Sequence, residues 1–182
     1  ALDICTSKKH IKSSSMNEYK LMTKRRVVIT GLGVVSPVGI GTQVAWNNLI
    51  KGHSGITRIT KFDPTAFNSQ IAGEVKNFNV EDYLPAKDAR RMDTFIQYGL
   101  VAGIEAFKDS GLQVTDQNAE RIGVSIGSGI GGLGLIEATN DNYDEGGPRK
   151  ISPFFIPGTI INMISGNLSI MFGLKGPNVA IV

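Results

Sequence analysis

Few groups in this chain of 182 residues are able to do covalent chemistry. Its single cysteine is Cys5, and its histidines are His10 and His53. One cysteine cannot close an internal disulfide, and with two histidines it leaves no Cys/His set for the usual zinc site. Three glycine spacings look like motifs. Gly123-Val-Ser125-Ile-Gly127 has the spacing of a hydrolase nucleophile elbow. That elbow needs an acid and then a histidine further along, and no histidine follows His53. Ser125 therefore reads as a small buried residue in mid-strand. Gly127-x-Gly129-x-x-Gly132 has the dinucleotide spacing, but the phosphate-binding form needs a helix starting in the loop and an acidic residue about 20 positions on. Pro148, Pro153 and Pro157 fill that stretch, so a tight loop where backbones meet is the preferred reading. Gly31-x-Gly33-x-x-Ser36 lacks the third glycine and runs into Pro37, which disfavours helix entry. His53 reads as a surface helix-end residue, and Asp63 as a loop residue with no base partner.

Charge supplies a different candidate. Lys87, Arg90 and Arg91 cluster at the predicted start of a long helix, where cations oppose the macrodipole. A chain that tolerates them there is offering a positive patch to an acidic partner, or a plain solvated face. The overall net charge of +3 says little, because two of those charges lie in residues 1–21, where four lysines face Asp3 and Glu18. No long basic stripe exists, so nucleic acid is not an expected partner. No apolar run reaches the ~18 residues of a membrane span.

Elements that would position these residues follow from periodicity. Val27-Val28-Ile29, closed by Gly31 and Gly33, predicts a buried strand. Thr42 is placed to cap a helix carrying Val44, Ala45, Leu49 and Ile50, with Gly52 past its end. Residues 53–84 read as irregular. Pro85 opens the strongest helical pattern, in which Met92, Phe95, Ile96, Gly99, Ala102, Gly103 and Ala106 share a face up to Gly111. Gly99 and Gly103, four apart, predict close approach of another backbone. Residues 121–126 predict a second buried strand, 135–145 a short helix, and 146–159 an ordered loop. Ile160, Ile161, Ile164, Leu168 and Met171 recur at helical spacing up to Gly173, and Asn178–Val182 begins another strand. Strands alternating with helices argue for a layered α/β fold.

Residues 1–21 show no such periodicity and no signal-peptide core. The pattern changes sharply at Met22, which reads as a natural start. The expected division is a non-native or upstream extension, disordered, over 1–21, and the folded part over 22–182. Cys5 lies in the extension and is not expected to be a nucleophile.

From Met22 to Val182 the chain resembles the N-terminal part of the β-ketoacyl-[acyl carrier protein] synthases, most closely the synthase II branch. The resemblance rests on RRVVITGLGVVSPVG (25–39), SGI (54–56), RRMDTFIQYGLVAG (90–103), IGSGIGGLG (126–134), GGPRKISPFFIPGTIINM (146–163) and GLKGPNVAIV (173–182). It implies a thiolase-like fold, in which two similar α/β halves pack in α-β-α-β-α layers as a homodimer. This chain would be most of the first half.

The resemblance also implies a chemistry. A cysteine thiolate takes an acyl group from the carrier's phosphopantetheine, malonyl-carrier loses CO2, and the carbanion attacks the acyl-enzyme to give a 3-oxoacyl carrier. Neither a metal nor a redox cofactor is implied. The family's nucleophile falls a few residues beyond Val182 and its catalytic histidines much further on, so the fragment itself is expected to be inactive, with no catalytic residue of its own. Ile130 matches a residue lining the acyl pocket, and Phe155 one that reaches that pocket across the dimer. Lys87, Arg90 and Arg91 match the patch that docks acyl carrier protein. Cytoplasmic location follows from the same likeness. The alternative is a non-catalytic ketosynthase-like partner, the chain-length factor of polyketide synthesis.

Overall fold

Ile96 and Leu100 are wholly shielded from solvent, and the fold is arranged around the helix that carries them. The structure, a computed structural model, describes residues 26–182. The extension, Cys5, His10 and the start at Met22 lie outside the described residues.

In chain order the elements are β1 (Val35–Ser36), β2 (Gly39–Ile40), α1 (Thr42–Ile50), β3 (Ile56–Arg58), β4 (Ile71–Gly73), α2 (Ala86–Ala89), α3 (Thr94–Asp109), β5 (Val124–Gly127), α4 (Leu133–Gly146), α5 (Phe155–Thr159), α6 (Met163–Phe172) and β6 (Asn178–Ile181). Short 3-10 turns occupy Val80–Asp82, Ala119–Arg121 and Pro148–Lys150. β1 pairs with β2 and β3 with β4, both antiparallel, while β5 and β6 run parallel with Val124 opposite Asn178. The parallel pair packs on α6, and α6 packs on α3, which gives a strand layer on a helical layer.

The core is Ile96, Leu100 and Ile104 of α3, Ile164 and Leu168 of α6, and Leu84 before α2. Helical spacing on α3 and α6 makes this contact, because residues three and four apart share a face. Glycine lets the helices close. A methyl at Gly99 would lie 2.6 Å from Ile164 Cδ1, and one at Gly103 2.6 Å from Leu168 Cδ1. The expected close approach at these glycines is therefore made by side chains of α6. Backbone meets backbone elsewhere, at Gly31 and Gly33, where an added Cβ would strike the Ala106 and Ala102 carbonyls of α3.

Several expectations change. Val27–Ile29 forms no strand and is exposed. Among the described residues no neighbouring strand is hydrogen-bonded to it. The segment is fastened to α3 instead: Leu32 N–H donates to Asp109 Oδ2 at 2.9 Å and Val34 N–H to Glu105 Oε2 at 2.9 Å. Thr42 is the first residue of α1 rather than its cap; Gly41 is the cap, and the Thr42 N–H donates to Glu105 Oε1 at 2.6 Å. Of the apolar residues expected inside α1 only Ala45 is buried. The single long helix from Pro85 is two helices, α2 and α3, because Asp93 takes extended backbone and starts α3 afresh with its own side chain. Residues 53–84 contain the β3–β4 pair, whose strands of three residues are too short for an alternation to show. The helix expected over 135–145 begins at Leu133, and the 146–159 segment includes α5. α6 ends as expected at Gly173, whose φ of 67° is the left-handed cap that glycine favours.

Candidate functional site

The glycine loop after β5 is held at both ends. Ser128 N–H donates to the Ile181 carbonyl at 2.9 Å, and Gly132 N–H to the Thr159 carbonyl at 2.9 Å. Ile130 stands between these anchors with 71% of its surface exposed. Gly131 takes φ +90°, a conformation that side chains rarely adopt. Thr159 is buried, and its hydroxyl donates to the Phe155 carbonyl at 2.9 Å within α5. Phe155, half-buried, opens that same short helix. Ile130 and Phe155, 25 positions apart in their chain numbers, thus sit on two segments stitched together through Thr159.

The glycine spacing does open onto a helix, contrary to the expectation of a loop alone: β5 leads through it directly into α4. A phosphate would bind at the first amides of such a helix. Here that place is filled by the chain's own carboxylate, since Leu135 N–H donates to Asp93 Oδ2 at 2.7 Å. The dinucleotide reading therefore lacks its anion site. Ser125 lies in β5 as expected, but exposed rather than buried. Its neighbours Val124 and Ile126 face the α3–α6 core, and the strand alternation points Ser125 the other way. His53 is exposed after α1, its Nδ1 3.2 Å from Asn48 Oδ1, and Asp63 accepts from Thr65 N and Oγ1 in its own loop.

The basic cluster sits differently from its predicted position. Lys87 lies within α2, Arg90 is its C-cap, and Arg91 follows. The cations end a short helix instead of opening a long one, so they do not oppose the dipole of α3, whose start is capped by Asp93. Lys87 and Arg90 are exposed. Arg91 is half-buried, with its guanidinium carbon 4.2 Å from the centre of the Phe154 ring, a cation–π contact. Arg91 and Phe154 also line a cavity of about 510 Å³ with Pro85, Met92, Pro157 and Met171. A positive rim and an apolar groove thus adjoin the segment that carries Phe155.

Residues 24–182 match the family described as the N-terminal domain of beta-ketoacyl synthases. The chain belongs to that family. It is 59% identical over 160 residues to a 3-oxoacyl-[acyl-carrier-protein] synthase 2 of Vibrio harveyi and 60% identical over 160 residues to that of Vibrio cholerae; each alignment covers 88% of this chain and 39% of the relative. The chain therefore spans about two fifths of the length of these relatives, at their N-terminal portion. Among solved structures it resembles a beta-ketoacyl synthase from Burkholderia phymatum, with a TM-score of 0.67 and 25% identity, covering 86% of this chain and 38% of that one. It also resembles the ishigamide ketosynthase/chain length factor, with a TM-score of 0.65 and 27% identity over 87% of this chain and 39% of that one. The mixed α/β, thiolase-like fold expected from the sequence is the fold of these neighbours.

The sequence reading missed Asp93 and Thr159. Asp93 stands three residues before Ile96, the start of the buried face, which is the signature of a helix cap. Thr159 carries no local signal, because its role comes from a loop 27 positions earlier.

Proposed function

We propose that this chain is the N-terminal portion of a 3-oxoacyl-[acyl carrier protein] synthase that condenses an acyl-enzyme with malonyl-carrier, releasing CO2, in fatty-acid elongation. The observation that carries the reading is the 59–60% identity to synthase 2 relatives over nearly all of the chain. Likeness to the ketosynthase/chain length factor structure is much weaker in sequence, at 27%, which favours a condensing enzyme over a non-catalytic partner.

In this reading the catalytic cysteine and histidines belong to the longer protein, and the 182-residue chain alone is inactive. No metal or redox cofactor takes part, since decarboxylation supplies the carbanion. Ile130 and Phe155 line the acyl pocket, with Phe155 acting across a homodimer. Lys87, Arg90 and Arg91 dock the acidic acyl carrier protein in the cytoplasm. Supporting this, Lys87 and Arg90 are free of close helix packing and face solvent, where charge steers association.

Two measurements test the reading. The coding sequence after Val182 should encode a cysteine within a few codons, and the full-length protein should condense malonyl-carrier with an acyl donor; absence of both would refute it. In that protein the double reversal Lys87→Glu with Arg90→Glu should weaken carrier binding on the order of tenfold, chiefly through association rate and more at low salt. Unchanged carrier affinity would remove the docking assignment.

A further inference from the structure

α4 has 14 residues but no capping side chain of its own. Its N-cap is Gly132, and a side chain cannot be accommodated there: an added Cβ would lie 2.8 Å from Thr159 Cα and 3.0 Å from Asp93 Cβ. The missing acceptor comes from 39 positions earlier in the chain. Asp93 caps α3, with Phe95 N–H donating to its Oδ1 at 3.1 Å, and at the same time caps α4, with Leu135 N–H donating to its Oδ2 at 2.7 Å. Its own N–H donates to the Gly158 carbonyl of α5 at 3.1 Å. One residue therefore joins the starts of α3 and α4 to α5.

The choice of residue follows from this geometry. Serine, threonine or asparagine offers one side-chain acceptor for a cap. Two helix starts served at once require two oxygens, and the negative charge suits both positive helix ends. The glycines of the loop are explained by the same joint. Gly132 is closed off by Asp93 and Thr159, and a Cβ at Gly134 would lie 3.5 Å from Asp93 Oδ2. The loop that bears Ile130 is short, and Asp93 sets its downstream end.

We propose that Asp93 is a positioning residue for acyl selection: by capping α3 and α4 together it holds the loop that presents Ile130, and so sets which acyl lengths are accepted. This rests on the reading above that Ile130 lines the acyl pocket. Asp93 touches no reacting atom, and its effect passes through Ile130.

The test uses the full-length protein and the variant Asp93→Asn, which keeps one acceptor and loses the other. Acylation kcat/KM is measured with short-, medium- and long-chain acyl carriers, beside carrier affinity and amide exchange. The ratio of long- to short-chain kcat/KM should shift on the order of tenfold, the scale of discrimination by a few methylene contacts. Exchange should quicken at residues 131–136 and stay slow in α6, with carrier affinity unchanged. Should Asp93→Asn fail to fold, Gly132→Ala presses on the same joint from the loop side and is read in the same way. An active wild type whose variants lose rate equally at all acyl lengths would overturn the assignment, because a purely structural residue scales every substrate alike. A wild type inactive towards every acyl donor would instead bring down the functional reading, and this proposal with it.

Discussion

Ile96 and Leu100 on α3 are 0% exposed, whereas Val27 and Ile29, aliphatic residues in an equally apolar run, are 85% and 82% exposed. The two regions have the same kind of side chain and opposite fates. On α3 the apolar face meets α6, and both helices lie within the described residues. Val27–Ile29 lies against α3 through Gly31 and Gly33 only, and its strand-forming residues have no ladder to join there. The β5–β6 pair behaves in an intermediate way: Val124 and Ile126 pack on the core, while Val179 and Ile181 are exposed. Hydrophobic pattern tells which faces need cover. It does not tell what covers them. The relatives are about two and a half times longer than the part matched here, and an apolar face of this extent is the mark of an interface.

The largest test of this contrast is a pair of truncations. Leu100→Ala should destabilise the chain by about 2–5 kcal/mol, the range for emptying a buried leucine site, while Val28→Ala should change it by less than about 0.5 kcal/mol. Urea unfolding of the 182-residue chain measures both. Equal costs would show that the 26–34 segment is packed after all and would break the comparison.

A glycine series sharpens it. Gly33→Ala drives a methyl into the Ala102 carbonyl, a backbone atom that cannot turn aside, and should cost about 3 kcal/mol while loosening the 26–34 segment. Gly103→Ala meets only the flexible end of Leu168, at 2.6 Å, and gains about 1 kcal/mol of helix propensity, so its net cost should be about 1 kcal/mol or less. Gly129→Ala, with nothing within 4 Å, should be neutral within about 0.5 kcal/mol. Any other rank order in thermal melts would show that the contacts at these glycines differ from those described.

The smallest expected effect lies at the edge of the fold. Glu74 after β4 accepts from Thr60 Oγ1 at 2.7 Å, from Thr60 N at 3.0 Å and from Lys61 N at 3.2 Å. These bonds, the Thr60 hydroxyl first, hold its carboxyl below the ordinary value of 4.5. A depressed carboxylate stabilises the fold above its unfolded pKa and ceases to do so as pH falls through the folded one. Wild type should therefore be slightly more stable than Glu74→Gln at neutral pH, with the difference vanishing in acid. A difference that is constant from pH 7 to below 4 would rule out the charged acceptor role.

Much of the helical part was legible beforehand. α3 and α6 repeat apolar residues every three to four positions over three or more turns, and Gly111 and Gly173 close them as the pattern requires. The break between α2 and α3 was not legible, because the apolar spacing continues through Arg90–Asp93 while the backbone does not. In the candidate site, the positions of Ile130, Phe155, Lys87, Arg90 and Arg91 came from motif likeness, which locates residues along the chain without saying what lies beside them. The exposure of Ser125 was missed because a strand of four residues shows its alternation but not which side is covered.

The sequence by itself determined the family, the main helices and the sites at which glycine is required, since these follow from local periodicity, caps and the order of residues. Only the tertiary structure decided that one carboxylate at Asp93 starts two helices, that Thr159 ties the Ile130 loop to the Phe155 segment, and that Val27–Ile29 stays uncovered. Each of these depends on distant residues meeting in space. Local chain chemistry can require a partner for an amide or an apolar face, but the partner is chosen by how the whole chain packs.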